Sequence, residues 1–263
     1  MKSVLVSYAD EVYLDAQRKL HQTAYIYGVP LSIPYTRNEL IRTSFYLHNK
    51  TILDVKKGGG LWLWKPYIIA ETLRGMDYGD IALYVDAGMY ITGHLSPLIS
   101  LTKNTDILLF NINHTNKFWT KRDCFVYMDC DSKLYWETMQ SAGFLQIYVK
   151  SPLSVSFVDE WLKFCQNRDI LTDLSNTCGL DNFKGFVDHR HDQSVLSNLR
   201  VKYNLPQYPD PTQYGGFLPR HLYNSEVHYS TLFYHHRLRY QKLYIRVLHS
   251  LYLTAKRILN FKK

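Results

Sequence analysis

The sequence has little cysteine and no long uncharged apolar stretch, and each absence excludes a class of protein. Its 263 residues include four cysteines, none in a Cys-x-x-Cys pair, which argues against a disulfide framework and a zinc site. No segment supplies the roughly 18 apolar residues that a membrane-spanning helix needs. Asp10 and Glu11 interrupt the apolar run near the N-terminus, so we expect no signal peptide. The sequence therefore predicts a cytoplasmic protein with reduced thiols.

Acidic residues are absent from the end of the chain. Residues 237–263 hold eight of the 31 lysines and arginines and no Asp or Glu, so the remaining 23 basic residues match the 23 acidic ones. A neutral body argues against nucleic-acid binding, which requires a basic stripe on the folded surface. Residues 238–263 combine basic and apolar residues at helical spacing, which predicts a basic amphipathic helix that binds an anionic membrane surface. Packing against the rest of the protein, or a dimer contact, is the alternative.

Short apolar runs alternate with helical patterns along the first 237 residues. This alternation predicts an α/β fold with a doubly wound mixed sheet flanked by helices. The predicted strands are 4–6, 29–33, 81–85 and 107–112, and the predicted helices include 11–27, 38–55, 67–74, 131–143, 155–167 and 192–201. Strand 81–85 is apolar throughout, as expected of a central strand with helices on both of its faces.

A carboxylate and a glycine follow the most apolar strand. Asp86 comes directly after residue 85, and Gly88 lies two positions later. In open α/β sheets, ligands bind beyond the carboxyl ends of the strands, so Asp86 is placed to hold a divalent ion or a nucleotide ribose. Gly88 would let a phosphate or sugar approach the backbone closely. The alternative is an aspartate that only caps the next turn.

Several segments in order along the chain resemble one enzyme family. They are the runs GLWLWKP at 60–66, GDI at 79–81, YVDAG at 84–88, WTKRD at 119–123, QSAG at 140–143 and RHDQS at 190–194. Together they resemble GT-A-fold glycosyltransferases found in bacterial surface-polysaccharide clusters and in some large viruses. The resemblance covers roughly residues 1–237, which are therefore expected to form a GT-A-like catalytic domain.

The resemblance implies a nucleotide-diphosphate-sugar donor and a hydroxyl of a glycan or lipid-linked glycan as the acceptor. Many such enzymes hold Mn²⁺ or Mg²⁺ with an Asp-x-Asp motif at this strand end. Here the motif reads Asp86-Ala87-Gly88, so the second carboxylate is missing. Either Asp86 and a distant ligand such as His236 hold the ion, or cationic side chains neutralise the departing diphosphate.

Four side chains are predicted to bind the donor together with Gly88. Lys65 belongs to the family-like run, and Arg37 follows the second predicted strand, so both can supply positive charge to the diphosphate. Trp64 can stack on the donor base or sugar, although a tryptophan that only packs in the core would give the same sequence pattern. Asp86 completes this set.

The densest titratable cluster covers residues 188–193, and Asp192 is its candidate catalytic base. Transfer with inversion requires a base for the acceptor hydroxyl, usually a carboxylate. Asp192 stands at the start of a predicted helix, where an N-cap role is the structural alternative. An Asp-x-Asp does occur elsewhere, at Asp129 and Asp131. We reject it as a metal motif because it leads into the predicted helix 131–143.

Other functions also fit parts of the pattern. A nucleotide- or glycan-binding module without turnover would use the same strand end, but it would not require Asp86, Lys65 and Asp192 together. A sugar-phosphate transferase would use the same donor and leave phosphate in the product. The donor sugar and the stereochemistry do not follow from the sequence, because one fold supports many reactions.

Overall fold

The computed structural model describes residues 1–215 and 227–236. The strands are β1 (Ser3–Ala9), β2 (Leu31–Thr36), β3 (Ile81–Val85), β4 (Met89–Ile91), β5 (Ile107–Thr115), β6 (Met139–Val149), β7 (Gln207–Tyr208) and β8 (Phe233–His235). The longer helices are α1 (Leu14–Ile26), α6 (Trp64–Arg74), α11 (Pro152–Cys165) and α13 (Asp192–Lys202). The shorter ones are α2 (Arg37–Leu40), α3 (Ser44–His48), α4 (Lys50–Leu53), α5 (Gly58–Leu61), α7 (Ser96–Leu101), α8 (Asn116–Trp119), α9 (Arg122–Tyr127), α10 (Lys133–Trp136) and α12 (Arg168–Leu171).

Six strands form one mixed sheet in the order β2-β1-β3-β6-β5-β7. Strand β6 is antiparallel to both of its neighbours, and the other five strands share one direction. Strands β4 and β8 form a separate antiparallel pair. The chain runs from β1 outward to β2 and then returns to β3 on the other side of β1. This reversal creates a crevice at the carboxyl ends of β1 and β3, where ligands bind in such sheets.

The sheet is buried on both faces. Along β3, Ile81, Leu83 and Val85 contribute to one apolar cluster together with side chains of α1 and α7. Ala82 and Tyr84 point to the opposite face and contribute to a second cluster with α6, α11 and α13. Alternate residues of β3 thus pack against helices on opposite faces of the sheet. The predicted class, an α/β fold with a doubly wound mixed sheet flanked by helices, is confirmed.

The predicted helix 38–55 is wrong as a continuous element, because polar capping residues divide it. The Thr43 hydroxyl accepts a hydrogen bond from the Tyr46 backbone N–H and begins α3. Asn49 ends α3 and begins α4. Side chains of this kind compete with the backbone for hydrogen bonds and favour helix ends over helix interiors.

The predicted helix 131–143 is also wrong. Only α10 is helical there, and the chain enters β6 at Met139. Buried polar groups of β6 find partners that are distant in sequence: the Gln140 side-chain amide donates to the Trp119 carbonyl, and the Ser141 backbone N–H donates to the Ser197 hydroxyl. Sheet pairing therefore outweighs local helical periodicity.

The helices predicted at 155–167 and 192–201 correspond to α11 and α13. Helix α11 begins three residues earlier than predicted, at Pro152, where Ser151 and Ser154 form a reciprocal capping box. Within residues 1–215 and 227–236, each helix is too short or too polar to cross a bilayer. The predicted basic helix 238–263 and the domain boundary at 237 lie outside the described residues and stay predictions.

Candidate active site

A cleft of about 870 Å³ opens beyond the carboxyl ends of β1 and β3. Its walls come from residues 8–13, 56–65, 86–88, 143–144 and 188–193, with His235 added from β8. Its size lies within the range typical of small-molecule sites. Because β6 is antiparallel to its neighbours, its first residues project past this edge of the sheet. There the Asp86 N–H donates to the Phe144 carbonyl.

A buried ammonium joins the two carboxylates that the sequence singles out. The Lys65 Nζ lies 3.0 Å from the Asp192 Oδ2 and 3.7 Å from the Asp86 Oδ1. It also donates to the Gly143 carbonyl oxygen at 2.7 Å. Only 3% of the Lys65 side chain and 4% of the Asp192 side chain are exposed. One charge from α6 therefore binds oxygens supplied by α13, by β6 and by the residue that follows β3.

Burial and charge act in opposite directions on this pair. Burial raises the pKa of Asp192 to about 6, although the Lys65 ammonium opposes that shift. Burial alone would lower the pKa of Lys65, but the carboxylates of Asp192 and Asp86 raise it above its ordinary value. Lys65 thus stays charged, while Asp192 can exchange a proton close to neutral pH.

Asp86 is the more accessible of the two carboxylates. Its side chain is 37% exposed, and its Oδ1 accepts a hydrogen bond from the Tyr84 hydroxyl at 2.5 Å. Gly88 has open space where a side chain would stand, with no atom within 4 Å of an added Cβ. Asp86 and Gly88 therefore border a region of the cleft with room for a ligand.

The aromatic wall is formed by rings that already contact one another. Trp64 is buried and stacks on Tyr8 at 4.0 Å, and its indole N–H donates to the Gly58 carbonyl. Trp62 stacks on His191 at 5.5 Å and has a φ of +58°, which is rare for a bulky residue. Trp64 lines the cleft, with one ring face already packed on Tyr8.

Arg37 contacts the wall of the cleft. Its guanidinium donates to the carbonyls of Leu53 and Gly59 and pairs with Asp54 at 3.2 Å. These contacts fix the chain that leads to Gly59, which lines the cleft. The role predicted for Arg37, direct contact with the donor, stays a prediction.

The residues around Asp86 supply few ligands for a divalent ion. Among residues 1–215 and 227–236, no three His, Cys, Asp or Glu side chains form a group that could hold a metal. Asp86 is the single carboxylate at its strand end, and the charge beside it is the Lys65 ammonium. His236 is mostly buried, and its backbone N–H donates to the Gly88 carbonyl. The pairing of Asp86 and His236 as metal ligands stays a prediction.

Several side chains of the cleft were missed by sequence reasoning. Gln193 accepts a hydrogen bond from the Gly143 N–H and donates to Gln140 at 2.6 Å. Tyr84 is buried behind the cleft and donates to Asp86, and it could have been found because residues two apart in an extended chain share a face. Lys56 and Lys57, which precede three consecutive glycines, also line the cleft.

Comparisons with known proteins give similarity at the level of structure alone. No protein-family model matches the sequence, and no curated protein sequence matches it. Among solved structures, the apo form of WbbM, a bifunctional glycosyltransferase, is similar with a TM-score of 0.47 and 9% identity, over 80% of this chain and 39% of that one. Apo mouse xyloside xylosyltransferase 1 is similar with a TM-score of 0.48 and 7% identity, over 92% of this chain and 100% of that one. The chain thus spans 39% of the length of WbbM.

Proposed function

We propose that this protein is a glycosyltransferase that moves a sugar from a nucleotide-diphosphate-sugar to a hydroxyl of a glycan, free or lipid-linked. The observation that carries the proposal is the buried Lys65–Asp192 pair beside Asp86, in a cleft at the carboxyl edge of the sheet. A simple binding site has no need of a buried carboxylate that is poised to take up a proton. The family-like runs in the sequence point to the same reaction.

In this proposal Asp192 acts as the general base. Its carboxylate accepts the proton of the acceptor hydroxyl while that oxygen forms a bond to the anomeric carbon of the donor sugar. The bond between the anomeric carbon and the diphosphate oxygen breaks, and the nucleoside diphosphate leaves with its electron pair. Lys65 holds Asp192 in place, and Asp86, which can only accept hydrogen bonds when ionised, binds hydroxyls of the donor.

The transfer rate should depend on the protonation of Asp192. Its pKa of about 6 means that the carboxyl is protonated below that pH and cannot accept a proton. We therefore expect kcat/KM to rise with pH through about 6 and to level off above it. A pH series of initial rates with a fixed donor and acceptor measures this limb. A profile that is flat down to pH 5 contradicts the assignment of Asp192 as the base.

The function itself is tested by product formation. The full chain is incubated with a panel of nucleotide sugars and with glycan acceptors, and mass spectrometry detects acceptors that have gained one sugar. Transfer without phosphate in the product supports a glycosyltransferase, whereas added phosphate identifies a sugar-phosphate transferase. Binding of a nucleotide sugar without transfer or hydrolysis identifies a binding module.

The stereochemistry of the product tests the role of Asp192 independently of the proposed transferase activity. Direct attack by an oxygen that Asp192 deprotonates inverts the anomeric configuration, and NMR of the product determines it. Retention would leave the proposed transferase intact and contradict Asp192 as the acceptor base.

A further inference from the structure

We propose that Lys56, Lys57 and Arg190 bind the diphosphate of the donor and stabilise its departure without a divalent ion. This inference rests on the proposed function. It assigns the cationic groups of the leaving-group site to two segments, 56–59 and 188–190, that line the cleft from different parts of the chain.

The reaction requires positive charge that the centre of the site does not supply. A departing nucleoside diphosphate carries about two negative charges, which must be stabilised in the transition state. The Lys65 ammonium is already surrounded by Asp86, Asp192 and the Gly143 carbonyl. Its charge is thus offset by two carboxylates, so the additional cations must come from elsewhere in the cleft.

The segment from Lys56 to Gly59 is a tight glycine-rich turn in the wall of the cleft. Gly58 and Gly59 both have φ near +60°, a conformation that glycine adopts without steric cost. A Cβ on Gly58 would lie 2.4 Å from the Trp62 ring, so the absence of a side chain is required there. Arg37 fixes the loop through the Gly59 carbonyl. The N–H groups of residues 59–62 already donate to carbonyls within the turn, so the turn contributes by placing Lys56 and Lys57 at the cleft.

The two lysines differ in their contacts. Lys57 reaches Asp173 at 3.1 Å and Asp188 at 3.5 Å, and all three side chains are more than 40% exposed. Exposed pairs like these contribute little energy, so a phosphate can replace the carboxylates. Lys56 is exposed and lines the cleft, and no carboxylate of the described residues lies within ion-pair distance of it.

Arg190 presents a guanidinium whose position is fixed by an aromatic ring. Its Cζ lies 4.4 Å from the centre of the Trp119 ring, and its charge contributes, after burial, to the lowered pKa of His114. Within residues 1–215 and 227–236 no carboxylate forms an ion pair with it. A planar guanidinium held in this way is suited to bind two phosphate oxygens at once.

Isothermal titration calorimetry of the full chain with UDP, GDP, CDP, ADP and dTDP, each in EDTA and then in Mn²⁺, tests this inference. We expect at least one of them to bind in EDTA. The double variant Lys56→Ala/Lys57→Ala and the variant Arg190→Gln should each weaken that binding, by about tenfold for each charge removed. Higher ionic strength should also weaken it.

Two controls make the result specific to these positions. Lys56→Arg/Lys57→Arg keeps both charges and should bind within about threefold of the wild type. Lys103→Ala removes an exposed lysine that precedes β5, at the opposite edge of the sheet, and should leave the affinity unchanged. Circular dichroism and thermal melting verify that each variant is folded.

The outcomes separate this inference from the proposed function. Binding that requires Mn²⁺ overturns the inference and leaves the glycosyltransferase proposal standing. Binding in EDTA that neither charge-removing variant weakens, or that Lys103→Ala weakens equally, also overturns it. Absence of binding to all five nucleotides, with and without Mn²⁺, contradicts both.

Discussion

Replacing Asp192 by asparagine is expected to lower kcat for sugar transfer by about 10²–10⁴-fold. Asparagine has almost the same shape as aspartate, but it cannot accept the proton of the acceptor hydroxyl. The Asp192 backbone carbonyl, which accepts the indole N–H of Trp161 at 2.9 Å, is retained, and Lys65 keeps Asp86 as a partner. Donor binding, measured by calorimetry, should therefore change much less than kcat.

A matched substitution shows whether the effect belongs to the site. Asp159 is an exposed carboxylate on α11 that pairs with Arg74 at 2.9 Å. Asp159→Asn makes the same chemical change outside the cleft and should alter kcat by less than about twofold. If Asp192→Asn retained most of the transfer activity, another group would have to accept the proton.

Replacing Lys65 by methionine is expected to lower the free energy of unfolding by about 3–5 kcal/mol at neutral pH. Methionine fills much of the same volume, but it leaves the almost fully buried Asp192 carboxylate without a counter-charge. The pKa of Asp192 would then lie still further above its value in the unfolded chain. The folded protein would take up a proton as the pH falls, so the loss is largest at high pH and shrinks toward pH 4.

Urea denaturation at several pH values measures this loss, and a double variant assigns it to the pair. In Lys65→Met/Asp192→Asn the remaining carboxylate, Asp86, is 37% exposed and no buried charge is left unpaired, so we expect a large part of the lost stability to return. Lys163→Met, at an exposed position of α11, should change stability by less than about 0.5 kcal/mol. A double variant no more stable than Lys65→Met would refute the ion-pair explanation.

The fold was most predictable where one signal dominated. The apolar run 81–85 coincides with β3, and α13 begins at Asp192, the first residue of a predicted helix. The prediction failed at 131–143 because β6 lies between β3 and β5, and its polar side chains are satisfied by residues far away in the sequence. A local periodicity contains no information about such partners.

The candidate site was predictable as a set of residues but not as a geometry. Lys65, Asp86 and Asp192 were each chosen from separate motifs, and the structure brings them around one ammonium. The Gly143 carbonyl completes this arrangement because β6 runs antiparallel to its neighbours. The sequence predicted a helix over 131–143 instead, so this contact was not predicted. The tight conformation of residues 58–62, all with positive φ, was likewise not predicted, because Leu61 and Trp62 are residue types that rarely adopt it.

The order of synthesis determines when Lys65 gains each of its partners. Its partners lie at positions 86, 143 and 192, so the ammonium gains its last carboxylate only after residue 192 has left the ribosome. Translation proceeds from the N-terminus, and contacts between distant positions form slowly. A nascent chain that stops before α13 would hold Lys65 and Asp86 without Asp192, the proposed base.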